Sequence, residues 1–514
     1  MHLTNAAIAA DSPLTAAAGA RLARAGGTAA DIAVSAALTA TVAEPLMCSL
    51  GGSAFFMIRP AGKRAELIEG ADAMPTISSR PTAKSAAWRT ARLPYGDGID
   101  VQAGPAAVAV PGMLAAAGMA WTRHGRLPWR DVVAPALELA RTEIPTGATM
   151  AKWLALVGRV LFWQQDVCRR CFFPDGERPL ENGELFRVPN LEQTYEAISE
   201  RGAQVLYEGD LAATFASEIQ DCGGFITRED LAAYKAVVRE PIILHSRGFQ
   251  LALNPPPAVG GTAVGCLINM LQSHWRDAMP AAERTLIHAR SQVRLLGIRE
   301  DQLFHPTFGG PVADALLQNT GLRGNWPVLK SPNTTHLSVV TSDGSIVSVT
   351  MSMGYGAGVI VPSLGFGCNN SLGEPELNPR GFHVADAGTR LVSNMAPTLA
   401  WHQDGRCLAF GSPGASRITT SIAQTWARYA LEAMAMEESV QAPRLHIEPR
   451  PDGLRAQFEP GIDATLLEDK FVVRPFASKD MYFGAIKLAA LDQHGRFHAV
   501  ADERRHGAVE IVHG

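Results

Sequence analysis

Two adjacent hydroxyls, Thr334 and Thr335, follow the turn signal Ser331-Pro332-Asn333 and precede an apolar, β-branched run from Leu337 to Val340. Asp343-Gly344 then turns the chain and Ile346 to Thr350 returns, which predicts a hairpin with a tight Asp-Gly turn. A hydroxyl at the mouth of a buried strand is a candidate nucleophile. Threonine is also a common strand residue, so the segment alone fits two threonines that merely begin a strand. A threonine hydroxyl attacks a carbonyl only when a base takes its proton. The chain has no G-x-S-x-G elbow, so a serine-hydrolase arrangement is not the source of that base.

The surrounding text favours chemistry. Thr334-Thr335-His336-x-Ser338-Val339-Val340, the Asp-Gly turn and Val349-Thr350-Met351-Ser352 resemble the processing site of the γ-glutamyltransferase family. So do Gly411-Ser412-Pro413-Gly414-Ala415-Ser416-Arg417 and Asn254-Pro255-Pro256-Pro257-x-x-Gly260-Gly261. Gly26-Gly27-Thr28-Ala29-Ala30-Asp31, Leu231-Ala232-Ala233-Tyr234 and Asp502-x-Arg504-Arg505-x-Gly507 complete a match that follows the family's order over nearly the whole chain.

The resemblance implies an α+β fold, the four-layer αββα sandwich of N-terminal-nucleophile hydrolases. It implies self-cleavage between Asn333 and Thr334, giving a large segment 1–333 and a small segment 334–514 that stay folded together. Thr334 then carries a free α-amine, with a reference pKa of about 8, beside its own hydroxyl, and one residue supplies nucleophile and base. Thr335 is the competing nucleophile, but the family cuts before the first threonine of the pair. Ser352 stands where the family has a second threonine that orients the nucleophile. Gly414 and Ala415 match the backbone amides that stabilise the oxyanion, a role that needs N–H groups and not side chains; the bland alternative is an ordinary strand-to-helix turn.

Arg80, five residues after Pro75, matches the arginine that grips the substrate carboxylate; otherwise it is a solvated loop arginine. A guanidinium suits that task because it donates two parallel hydrogen bonds. The family's serine pair reads Ser393-Asn394. Its asparagine two residues after the second threonine is Gly354, and its Asn-Asn-Gln-Met-x-Asp segment reads Asn369-Asn370-Ser371-Leu372-Gly373-Glu374. The carboxylate side of the substrate pocket therefore survives better than the side that would hold an α-amine.

These residues must be positioned by particular elements. Ser12-Pro13 caps a helix to about Ala25, and Gly26-Gly27 stops it. Thr28 with Asp31 opens the next as an approximate capping box, and the Ala-rich stretch 29–43 reads as a buried helix. Leu50 to Ile58 is a glycine turn and a buried strand; a phosphate cradle is disfavoured because no G-K-[ST] or G-x-G-x-x-G follows. Residues 60–105, with Pro60, Pro75, Pro81 and Pro94, read as loop-rich. Helices are expected over Leu127 to Thr142, Leu191 to Glu200, after Thr227 with Asp230, over Thr262 to Leu271 and over Ile418 to Ala435. Strands are expected over Phe249 to Leu253, near Leu399, and over Cys407 to Phe410, Gly484 to Leu491 and Val509 to Val512.

At 514 residues, with 47% hydrophobic and 19% charged residues, the chain can bury a large multi-lobed core. A net charge of −4 offers no basic footprint for nucleic acid. The start, Met1 to Asn5, has no charged segment followed by an apolar one, and no membrane-length apolar run occurs. The expectation is a cytoplasmic protein without membrane or nucleic-acid partners. Seven scattered cysteines include one C-x-x-C, Cys168 to Cys171, without the partners of a zinc site, so unpaired structural thiols are expected. No metal or organic cofactor is required by the chemistry. The expected activity is cleavage of γ-glutamyl amides, with water, an amino acid or a dipeptide as acceptor. The alternatives are hydrolysis of another small carboxylate-bearing amide (oxamate, a glutaryl or a cephalosporin-type side chain) and a non-catalytic binding protein of the same fold.

Overall fold

Alternating small and large apolar residues along each strand decide the architecture, because successive side chains face opposite sides of a sheet. In the computed structural model, which describes residues 3–77, 87–94, 98–298, 309–318, 334–450 and 453–514, two antiparallel sheets stack face to face. The seven-stranded sheet runs Ala508–Val512, Ala6–Ala10, Thr334–Thr341, Ile346–Ser352, Ser53–Arg59, Glu66–Gly70, Val237–Arg239. The six-stranded sheet runs Phe497–Ala501, Lys487–Leu491, Cys407–Gly411, Thr398–His402, Phe249–Leu253, Ile242–Ser246.

Three apolar clusters separate four layers. Ile8, Phe56, Leu337, Val339 and Val349 face the helices Pro13–Arg24, Ala29–Ala43, Met113–His124 and Trp129–Ala140. Their strand neighbours Ala7, Phe55, Met57, Val340 and Ile346 face the other way, onto Ala252, Leu399, Cys407, Ala409 and Ala489 of the second sheet. Leu251, Leu253, Leu408, Phe410 and Leu488 pack under the outer helices Gly260–His274 and Arg417–Ala430. This is the expected αββα sandwich. Phe55 and Phe56 are fully buried on opposite faces, each contributing about 1.5–3 kcal/mol by leaving water.

The local signals hold where side chains cap the backbone. Ser12 accepts from Leu14 N–H at the start of Pro13–Arg24, and reciprocal capping boxes open Ala29–Ala43 (Thr28 with Asp31) and Arg228–Ala233 (Thr227 with Asp230). All residues of Ala29–Ala43 are buried. The hairpin forms as Thr334–Thr341 and Ile346–Ser352, closed through Ser342-Asp343-Gly344 with Gly344 at φ 85°.

One expectation is incomplete and one fails. Residues 60–105 contain the strands Glu66–Gly70, Arg89–Leu93 and Ile99–Ala103 as well as loops. Glu66–Gly70 is recruited by pairing with Ser53–Arg59, and its acids are satisfied across the sheet edge, Glu66 by Arg123 and His124 and Glu69 by Arg239. The helix predicted over Ile418 to Ala435 ends at Ala430. Ala433 takes a left-handed φ of 56° there, a break that no glycine or proline announces. All seven cysteines are free. Among the described residues no helix is long and apolar enough to cross a membrane.

Candidate functional site

Thr334 begins a central strand and lies 3% exposed, paired in register with Ser352 at the end of the neighbouring strand. Its Oγ1 is 3.4 Å from Ser352 Oγ, a long, weak hydrogen bond, while Ser352 Oγ accepts from Gly354 N–H at 3.0 Å. The backbone carbonyl of Thr334 is clamped by Arg505 Nη1 at 2.8 Å. Thr334 is thus held from its side chain and from its own main chain.

Beneath it lies a buried charge network. Asp11 and Lys487 form an ion pair at 2.6 Å, and Asp11 Oδ2 accepts from His336 N–H at 3.0 Å. Thr335 Oγ1 meets Asp11 Oδ2 at 3.1 Å and Glu44 Oε2 at 2.9 Å. One hydroxyl cannot donate to two carboxylates. Burial, with the Asp11 charge added, pushes the Glu44 carboxyl up to about 8, so Glu44 carries the proton, donates to Thr335, and Thr335 donates to Asp11. Thr335 is therefore spent as a structural link, which leaves Thr334 as the hydroxyl facing the pocket. Burial and then Lys487 hold His336 neutral, bridging Thr350 at 2.8 Å and Ser338 at 3.1 Å within the seven-stranded sheet.

The pocket in front of Thr334 is lined by Ser352, Gly354, Ser371, Glu374, Ser393, Asn394 and Ala415, which brings six of the sequence-predicted residues, together with Gly354, to Thr334. Gly414 and Ala415 form the bend between Cys407–Gly411 and the helix Arg417–Ala430, and Ala415 sits at φ 59°. A left-handed alanine costs about 1–2 kcal/mol. The bend is fixed by Ala485 N–H donating to Ser412 Oγ at 3.0 Å and by Arg417 N–H donating to Gly414 O at 3.0 Å. Amides at a helix N-terminus suit developing negative charge. Ser393 Oγ accepts from Met395 N–H at 3.2 Å, and its carbonyl is held by the amides of Val259 and Gly260. Arg80 and Asn333 lie outside the described residues.

Five participants escaped the sequence reading: Asp72, Arg505 as the carbonyl clamp, Lys487, Asp11 and Glu44. Asp72 lines the pocket and its Oδ2 accepts from Ser371 Oγ at 2.6 Å. A lone lysine inside the apolar run Ala485 to Leu491 was a legible signal of a buried ion pair. Asp72 carried none, since nothing local marks a loop aspartate as pocket-lining.

Residues 15–512 match the family described as Gamma-glutamyltranspeptidase. The chain is 29% identical to the glutathione hydrolase proenzyme of Escherichia coli (strain K12) over 474 residues, spanning 84% of this chain and 79% of that protein. It is 30% identical to Glutathione hydrolase 2 of Arabidopsis thaliana over 498 residues, 88% of this chain and 82% of that one. A cephalosporin acylase from Bacillus halodurans has a similar fold, with a TM-score of 0.80 at 24% identity, covering 100% of this chain and 97% of the other.

Proposed function

The chain belongs to the γ-glutamyltranspeptidase family, and from that premise we propose that it is an autoprocessing N-terminal-threonine hydrolase and acyltransferase acting on γ-glutamyl amides of the glutathione type. The observation that carries the reading is Thr334, buried, aimed into a lined pocket, paired with Ser352 and flanked by the Gly414-Ala415 bend.

Maturation begins when Thr334 Oγ1 attacks the Asn333 carbonyl carbon. The Asn333–Thr334 C–N bond breaks, an ester forms on Oγ1 and the Thr334 amine is released; water then hydrolyses the ester. Segments 1–333 and 334–514 remain one folded body. In turnover the Thr334 amine takes the hydroxyl proton while Oγ1 attacks the substrate amide carbonyl. The Gly414 and Ala415 amides receive the oxyanion, and the expelled amine leaves with the proton. Water or the amine of an amino acid or dipeptide then resolves the acyl-enzyme. Ser352 orients Oγ1 and the amine, Arg505 fixes the carbonyl of the same residue, and Arg80 with Ser393 and Asn394 takes the substrate's carboxylate.

Denaturing mass spectrometry of purified protein tests the first step: two fragments, the smaller beginning at Thr334, are expected. Thr334→Ala should stay uncut and inactive, whereas Thr335→Ala should still expose residue 334 as an N-terminus. A fully active, uncut chain would sink the mechanism.

A second reading, an amidohydrolase of a carboxylate-bearing amide without the α-amine, such as an oxamate, glutaryl or cephalosporin-type compound, is favoured by Gly354 and Ser371 standing where amide side chains would face the amine. The ratio of kcat/KM for γ-glutamyl-p-nitroanilide over glutaryl-p-nitroanilide separates the two, because the compounds differ only in the amine. A ratio above one supports the leading reading, and a ratio at or below one supports the second.

A further inference from the structure

The amine side of the pocket has been rebuilt. Gly354 has φ +67°, and a Cβ placed there would lie 1.7 Å from Glu374 Oε1 and 2.4 Å from Asn370 Oδ1. The longer acid at 374 fills the space that a side chain at 354 would need. Glu374 Oε1 is also committed to the main chain, accepting from Tyr355 N–H at 3.2 Å.

Another wall of the same pocket carries Asp72, only 5% exposed. Its Oδ2 is held by the Ser371 hydroxyl at 2.6 Å, and its Oδ1 has no hydrogen-bond partner among the described residues. Leaving a buried carboxylate oxygen unpaired is costly, and a cation placed against it removes that cost. Ser371, short where a glutamine would be long, reaches no further than Asp72 and orients it.

We infer that Asp72 Oδ1 is the acceptor for the substrate's ammonium, with Ser371 fixing the second oxygen, so that preference for an amine-bearing acyl group resides in the Asp72–Ser371 pair. The inference rests on the γ-glutamyl reading and deepens it. The groups facing Asp72 are consistent with a cationic ligand. Glu374 and Glu376 share the pocket, and Tyr207 and Tyr234 pack behind. The neighbouring cation, Arg390, is already engaged with the carbonyls of Ala71 and Lys235 and lies over the Tyr234 ring. Burial holds the Asp72 carboxyl well above the usual carboxylate range, with Glu374 adding to the rise and Ser371, Arg390 and the nearby Ser53 hydroxyl opposing it. An arriving ammonium ionises it, so binding of the amine-bearing substrate releases a proton and strengthens as pH rises. The glutaryl compound, lacking the amine, has no such dependence.

The test compares the two p-nitroanilides across pH for the wild type, Asp72→Asn and Glu374→Gln. In Asp72→Asn the γ-glutamyl KM should rise about tenfold to a hundredfold, the order for losing a hydrogen bond between charged groups, and the substrate ratio should collapse toward one. The fall of the γ-glutamyl KM with rising pH should flatten. Self-cleavage to two fragments reports that the variant folds. If Asp72→Asn does not self-cleave, Ser371→Ala takes its place, and it should raise the γ-glutamyl KM and move its pH dependence upward. A wild-type ratio above one that survives either variant overturns the assignment to Asp72, as does a ratio abolished by Glu374→Gln alone. A wild-type ratio at or below one overturns the γ-glutamyl reading itself, and this inference with it.

Discussion

Replacing Gly354 by alanine sets one methyl group against two side chains. With the added Cβ 1.7 Å from Glu374 Oε1, the carboxylate must leave its place and its hydrogen bond from Tyr355 N–H. A lost hydrogen bond to a charged group costs about 1.5–3 kcal/mol. A Cβ at φ +67° adds about 1–2 kcal/mol of backbone strain. The sum, about 2.5–5 kcal/mol, is large for one methyl group. Glu374→Asp withdraws the carboxylate by one methylene, so the double variant should regain the clash component and keep the backbone strain and the approach to Asn370. The four proteins are compared by urea midpoint in the uncut Thr334→Ala background, where unfolding is not complicated by separation of two segments. A coupling of about 1.5–3 kcal/mol between the substitutions is expected. Losses that add within about 0.5 kcal/mol would refute the reasoning, because the two side chains would then not compete for one space.

Glu44→Gln reproduces the donor and acceptor of a protonated Glu44, so it should fold and self-cleave. The raised Glu44 carboxyl contributes stability that is present at low pH and lost as pH rises through about 8; denaturation midpoints of the glutamine variant should lack that decline. Ala415→Gly relieves the left-handed strain but gains unfolded-state freedom, a net stabilisation of about 0.5–1 kcal/mol. Its kcat should persist, because the peptide N–H is unchanged; a collapse of kcat would show that the methyl group matters. Ser352→Ala should slow self-cleavage about tenfold to a hundredfold by loosening the nucleophile, while Ser352→Thr should retain the rate, both followed by timed denaturing electrophoresis.

What was legible in the chain was what short-range chemistry encodes. Ser12, Thr28 and Thr227 announce helix starts because their side chains bond amides two or three residues away. The hairpin follows from β-branched runs around a turn that needs a left-handed glycine. Thr334, Ser352 and Ala415, which line one pocket, were reached through motifs that survive with single substitutions at 352 and 415. Asp72 and Arg505 were invisible in role, and Lys487 signalled a buried ion pair without naming Asp11, because their partners Ser371, Thr334 and Asp11 lie far away along the chain. Gly354 and Glu374 looked like two separate losses; only the 1.7 Å distance makes them one exchange of volume.

The order of strands in the larger sheet gives the proposed cut a lasting effect. Thr334–Thr341 and Ile346–Ser352 lie between Ala6–Ala10 on one side and Ser53–Arg59 on the other, and Ala508–Val512 closes the edge beyond Ala6–Ala10. Strands from the two sides of residue 334 are thus shuffled together like cards from two halves of a deck. While the chain is continuous, each strand is tethered to its neighbours and the interleaving is reached as one molecule. Once the bond is gone, the mature protein keeps an arrangement that its two separate pieces would have to rebuild by meeting in solution, at a rate set by their concentration. Denaturation then erases a history that the sequence of either piece alone does not contain, and the enzyme has a single opportunity to assemble.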